Sequence, residues 1–206
     1  MSTELFSPLV LRSGGRLRNR IAKAAMEEGM AGGSQLPDER LISLYRRWGS
    51  GGAGLLITGN VMVHAEALTG AGGVVLDERA PLDPFSRWAE AGKAGGAAMW
   101  MQISHPGRQV QAGMPGVVWG PSPVAVELGR HSKRFSPPVA MTEEQIRATV
   151  ERFATTAGLA YSLDPDGTTA GNQNVGLANA ETEPISNAET NTLANCRCDA
   201  DTNRKC

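Results

Sequence analysis

Two short stretches constrain this chain more than any others. "LLITG" (55–59) and "AAMWMQI" (97–103) carry no charged residue. Runs of this length, each reached through a glycine-rich break after an amphipathic segment, read as strands buried on both faces, the pattern of parallel sheets. Parallel neighbours need a crossover, usually a helix, and the intervening segments fit one. In "PDERLISLYRRWGSGGAG" a helix is expected from about 38 to 49. Pro37 leads into it, Asp38 and Glu39 suit its positive end, and Leu41, Leu44, Tyr45 and Trp48 share one face. "PLDPFSRWAEAGKAGG" predicts a second helix over roughly 83–94, and "RIAKAAM" (20–26) an earlier strand. Thr142 with Gln145 three residues on is a capping box, opening a third helix whose apolar stripe is Ile146, Val150 and Phe153. A Pro/Gly-rich loop holding "GPSPVAV" separates it from the third strand, over 105–140.

The order is therefore β-α-β-α-β-loop-α, an α/β architecture that is either barrel or doubly wound. No G-x-G-x-x-G follows the first strand, which weighs against a Rossmann cofactor site. The glycines of "SGGAG" and "AGKAGG" close helices rather than open them, so they read as C-caps and not phosphate cradles.

Composition narrows the function. A formal net charge of −1, with 20 Lys+Arg spread along 206 residues, argues against nucleic acid or a membrane surface as partner. No apolar run approaches the ~20 residues of a membrane span. "MSTELFSPLV" lacks a basic region ahead of an apolar one, so no secretory signal is read there. Cys196, Cys198 and Cys206 are confined to the tail and form neither a disulfide framework nor good zinc spacing, and the compartment is read as cytoplasmic. The chain changes character near residue 158. All four Trp precede it, whereas residues 159–206 hold seven Asn, six Thr and one aromatic, Tyr161. That composition buries too little to offset the entropy of ordering, so 1–158 is expected as the folded part and 159–206 as a disordered polar tail. A genuine tail and a change of reading frame are both open.

In parallel α/β sheets, ligands meet the carboxyl ends of the strands. Three such ends are visible: Ala24 to Glu27, Thr58 to Asn60, and Gln102 to His105. The first is small at Ala24 and Ala25. The second has Gly59, where backbone can touch a flat ligand. The third has Gln102, whose amide offers donors and an acceptor side by side. A mid-strand Gln is costly without a partner, so Gln102 reads as ligand-facing. His105 reads as a capping or packing residue of the loop, and Arg108 as pairing with a surface acid. His64 and His131 show no metal spacing. Met26, Met30, Met62 and Met101 read as core fillers, and "GRHSKR" (129–134) as a solvated surface.

At these residues the chain resembles the old yellow enzyme family of FMN-dependent ene-reductases and NADH:flavin oxidoreductases. The matching stretches are "LFSPLVLRSGGRLRNRIAKAAM" (5–26), "LPDERLISLYRRWGSGGAGLLITGNVMVH" (36–64), "MWMQISHPGRQ" (99–109), "GPSPV" (120–124) and "MTEEQIRATVERFATTA" (141–157), in the family's order and spacing. The resemblance implies a TIM (β/α)8 barrel, of which about three βα units are present, with FMN at its carboxyl face. It implies hydride transfer from NAD(P)H through FMN to the C=C bond of an enone or similar small molecule. Carried over by motif, Ala24, Ala25 and Met26 would lie along the isoalloxazine, Gly59 would pack close to it, and Gln102 would hydrogen-bond its pyrimidine edge, where donors stabilise reduced flavin.

Glu27 departs from the family's pattern, which often has Thr, Cys or Ser there; a carboxylate near the ring would oppose negative charge on the reduced cofactor. The family's substrate-binding His/Asn pair, Tyr proton donor and phosphate-binding glycines have no counterpart here, so no catalytic residue is assigned. Weak or absent FMN binding and no turnover are expected of the chain alone. The alternatives are a half-barrel that dimerises or serves as a binding module, and a non-functional truncated product.

Overall fold

The computed structural model describes residues 3–12 and 14–163. The expected cysteine chemistry and most of the expected tail lie outside them. A short antiparallel hairpin, β1 (Leu9–Val10) and β2 (Arg16–Leu17), opens the chain. Then come β3 (Ala22–Lys23), α1 (Glu39–Gly49), β4 (Leu55–Met62), β5 (Val74–Val75), α2 (Asp83–Lys93) and β6 (Ala98–Ser104). The loop after β6 holds two short parallel strands, β7 (Trp119–Gly120) and β8 (Val139–Ala140), and leads into α3 (Glu143–Ser162).

The main sheet is parallel throughout. β4 is its centre: β6 pairs with it from Leu55 to Met62 along one edge. On the other edge β3 pairs at Leu55 and Leu56, and β5 at Val61 and Met62. Three strand–helix units, β3–α1, β4–α2 and β6–α3, follow one another as the hydrophobic pattern predicts.

The helices begin where side chains can satisfy their free amides. Asp38 caps α1 by accepting from the backbone N–H of Arg40 and Leu41. Pro84 occupies the first turn of α2, where no N–H is missed. Thr142 and Gln145 complete the capping box of α3 in both directions. The core lies between α1, α2 and one face of the sheet, where Leu41, Ile42, Tyr45, Phe85, Trp88 and Leu56 are buried. Each such side chain contributes about 1.5–3 kcal/mol by leaving water. The Tyr45 ring meets Trp88 edge-on at 4.9 Å and Trp48 at 5.0 Å.

The two glycine clusters do more than end helices. Gly52 (φ +94°) and Gly96 (φ +82°) take left-handed turns beyond α1 and α2. Gly49 and Gly95, in contrast, mark a close backbone approach: a Cβ on Gly49 would collide with the Gly92 carbonyl, and one on Gly95 with that of Gly49.

Three expectations are corrected. The strand expected over 20–26 pairs only at Ala22 and Lys23. Beyond Leu56 the backbone of β4 is taken by side chains: Lys23 Nζ donates to the Ile57 carbonyl (2.8 Å) and the Gly59 N–H donates to the Tyr45 hydroxyl (3.2 Å). Met26 does not fill the core but stands 52 % exposed. The composition change at 158 falls inside α3, and Leu159, Ala160 and Leu163 pack against the core, so the fold continues through 163.

Candidate functional site

The site begins with an irregularity in β4. Ile57 pairs with Trp100, but the next pair is Asn60 with Gln102, so Thr58 and Gly59 stand opposite Met101 alone. This is a β-bulge, the device that re-aims side chains near functional sites. Strict alternation would put Asn60 on the face of Leu56, against the helices. The extra residue turns it to the opposite face, beside Gln102, and Gln102 Nε2 donates to Asn60 Oδ1 at 2.5 Å. Thr58, fully buried, holds the bulge: its hydroxyl accepts from the Gln102 backbone N–H (2.9 Å) and donates to the Gly59 carbonyl (2.8 Å). Gln102 Oε1 accepts no hydrogen bond among the described residues.

A second network fixes the end of β3. Lys23 Nζ bonds Glu28 Oε1 and the Tyr45 hydroxyl, each at 3.3 Å, and the hydroxyl donates to Glu28 Oε1 at 2.6 Å. Lys23 also lies over the Trp48 ring, 4.6 Å from its centroid. Burial lowers the Lys23 pKa, opposed by the Glu28 charge. Burial and then the hydrogen bond to Glu28 raise that of Tyr45, which therefore keeps its proton. Gly59 is required by this packing, since a Cβ there would strike the Met26 carbonyl and Glu28 Oε2.

Just past β3, Ala24, Met26 and Glu27 are exposed and Ala25 is half-buried. Partial burial raises the Glu27 pKa, while hydrogen bonds from Asn60 and Thr69 favour its ionised form and the Glu28 charge opposes it. At the end of β6, His105 Nδ1 accepts from the Gly107 N–H at 3.1 Å, so it caps the turn as expected. Burial, followed by the charges of His64 and Arg152, brings its pKa down to about 4. His105 is thus neutral, with its proton on Nε2.

All five residues expected to face a flat ligand, Ala24, Ala25, Met26, Gly59 and Gln102, lie at the carboxyl ends of neighbouring parallel strands. Sequence reasoning missed Asn60, because period-two counting assigns it to the wrong face, and it missed the Glu28–Tyr45 contact. The only available signal for Asn60 was its polarity within an apolar run. The donor set suits a flavin ring: one half-buried amide with a free carbonyl oxygen, beside exposed backbone and an apolar Met side chain.

A parallel sheet with helices on its crossovers defines an α/β protein, here with a polar amide at its strand ends. Residues 4–191 match the NADH:flavin oxidoreductase / NADH oxidase family, and the chain belongs to that family. It is 35 % identical over 170 residues to the NADH-dependent flavin oxidoreductase iliE of Hypocrea jecorina, covering 75 % of this chain and 42 % of that protein. It is 32 % identical over 152 residues to an NADH oxidase of Thermoanaerobacter brockii, covering 73 % of this chain and 23 % of the relative. The chain thus spans less than half the length of these relatives. Among solved structures, a 2-naphthoyl-CoA reductase superposes with a TM-score of 0.71 at 23 % identity, over 79 % of this chain and 26 % of that one. Morphinone reductase superposes with a TM-score of 0.64 at 23 % identity, over 77 % of this chain and 45 % of that one. These likenesses show that the α/β fold of the described residues is shared with part of the TIM-barrel old yellow enzymes. The family implies FMN and NAD(P)H as cofactors. Among the described residues, no helix is long and apolar enough to cross a membrane.

Proposed function

We propose that this chain supplies the ring-binding strand ends, about three of eight βα units, of an FMN-dependent oxidoreductase that reduces the C=C bond of a small α,β-unsaturated carbonyl compound. The observation that carries this reading is Gln102, half-buried at a strand end with its carbonyl oxygen free. Bound FMN would supply hydride transfer from NAD(P)H to the alkene. The chain's residues do the holding. Gln102 meets the pyrimidine edge of the ring. Ala24, Ala25 and Met26 offer backbone and one apolar side chain along it. Gly59 lets β3 and β4 approach closely enough to bring these groups to one surface. His105, neutral at pH 7, adds no charge.

The chain alone is proposed to hold flavin weakly and to show no turnover, because ring-edge contacts on an open sheet are what its described residues contribute. The visible absorption spectrum of the purified chain, mixed with FMN and desalted, tests this. A weak flavin band, lost in Gln102→Ala, is the expected result. No flavin bound at any concentration refutes the ring-binding role, and steady reduction of a cyclic enone by NADH refutes the inactivity.

A second reading is favoured by one feature. Among the described residues no strand pairs with the outer edge of β6, while Ile146 and Val150 on α3 are 39 % and 42 % exposed. A half-barrel of this kind closes by pairing with a second chain. Sedimentation velocity showing a monodisperse dimer supports this reading, and a monomer rejects it.

A further inference from the structure

A cavity of about 420 Å³ lies at the amino ends of β4 and β6, between the N-terminal hairpin and the turns that lead into the two strands. That volume is within the range of small-molecule sites. The cavity is on the far side of the sheet from the flavin reading: Ala98, on its wall, stands four residues before Gln102, roughly 13 Å along β6.

The local sequence builds its charge. In Arg16-Leu17-Arg18 the Leu is buried, and period-two alternation turns both arginines the other way. Both line the cavity, together with Lys93 from the last turn of α2, and no acid is among the described residues that do. On a chain of net charge −1 this is a local concentration of one sign. Arg18 is already fixed. Its Nε donates to the Ala53 carbonyl (3.1 Å) and its Nη1 to that of Gly95, bridging the turns before β4 and β6. Its Nη2 makes no hydrogen bond among the described residues, and Arg16 makes neither a hydrogen bond nor an ion pair among them. Donors held in place lose little freedom when an oxyanion arrives. The backbone around them is equally constrained. A Cβ on Gly54 would strike Asn19, whose buried amide donates to the Gly52 carbonyl (2.8 Å) and accepts from the Ile21 N–H (3.1 Å). Pro8, Ala97 and Ala98 add a small apolar wall.

We propose that this cavity binds a small organic phosphate monoester, its dianion on Arg16 and Arg18 and its carbon portion against Pro8, Ala97 and Ala98. Guanidinium groups match the several acceptor oxygens of a phosphate, and two of them match its two charges. The site stands apart from the flavin reading and does not depend on it.

The probe is phenyl phosphate, titrated at constant ionic strength into the nitrogen-15-labelled full chain. Saturable shifts are expected at the amides of Gly54, Gly96 and Ala98 and at the Arg18 Nε–H, and none at Gly59 or Gln102. The Kd should lie about tenfold below that for phenyl sulfate, which carries one charge less. It should also lie below that for inorganic phosphate, which lacks the ring. Arg16→Gln should weaken phenyl phosphate about tenfold, the loss of one charge-assisted hydrogen bond. Arg16 is the position to change because it bonds nothing else, and unshifted amides away from the cavity confirm that the variant is folded. Arg12→Gln, on the same hairpin but outside the cavity, makes the same change of charge and should leave the Kd within about twofold.

Equal weakening by the two substitutions reduces the effect to general positive charge and overturns the proposal. Shifts centred on Gly59 and Gln102, or no saturable shift at all, overturn it too. Inorganic phosphate binding as tightly as phenyl phosphate overturns the assignment to an organic ligand.

Discussion

The α1–α2 layer and α3 are built from the same ingredients and end in different states. All three helices are capped or begin with proline, and all three carry an apolar stripe. Leu41, Tyr45, Phe85 and Trp88 are at most 1 % exposed, yet Ile146 and Val150 of α3 are 39 % and 42 % exposed. The difference is in what lies beneath. α1 and α2 pack on each other and share one buried cluster with Leu56 and Val61 of β4. α3 follows β6, whose outer edge no described strand pairs. An amphipathic stripe is buried only where another element packs on it, so a helix at the open side of a sheet stays half-covered. α3 is held instead at its carboxyl end, where Leu159, Ala160 and Leu163 meet the core and the buried Thr156 hydroxyl donates to the Leu76 carbonyl at 2.7 Å.

The comparison can be broken first at its buried side. Trp88→Ala should cost about 3–5 kcal/mol, as large-to-small changes in packed cores do, and equilibrium urea unfolding would measure it. A loss near zero would mean that the α1–α2 layer is not the stabilising region. His105, between β6 and α3, should make stability depend on pH. Its folded pKa of about 4 lies below the usual 6.5, so the unfolded chain binds more protons between these values. Its contribution is full above pH 6.5 and is lost as the pH falls toward 4, by up to about 3 kcal/mol. In His105→Gln that part of the slope should vanish from melting curves at pH 7 and 5.

Smaller effects sharpen the α3 side. Thr142→Ala removes one half of the capping box and should cost about 1 kcal/mol, read as fraying of the first turn of α3 in amide exchange. Val150→Ser should change stability by less than about 0.5 kcal/mol. In a preparation where a partner covers α3, the same substitution should weaken association, visible in sedimentation.

The fold was legible wherever a period or a cap is a local matter. α1 begins one residue past Asp38, and α3 starts where Thr142 and Gln145 announce it. β4 and β6 lie on the two charge-free runs, although β4 reaches Met62 rather than residue 59. The short β3 was not legible, because its ladder is cut by its own Lys23 side chain and by Tyr45 of α1, which take the next backbone groups of β4. Gln102 announced itself as a costly polar residue in a strand. Asn60 did not, because the bulge that turns it depends on pairing between segments 42 residues apart.

The sequence by itself determined the order of strands and helices, their caps, the family and the strand ends at which the candidate site residues stand. These depend on residues within a few positions of one another, or on motifs in fixed order. Only the tertiary structure decided which way Asn60 faces, that Gly49 and Gly95 serve a helix contact, and that one apolar stripe is buried while another is not. Those outcomes depend on what packs opposite a residue, and neither a period nor a propensity carries that information.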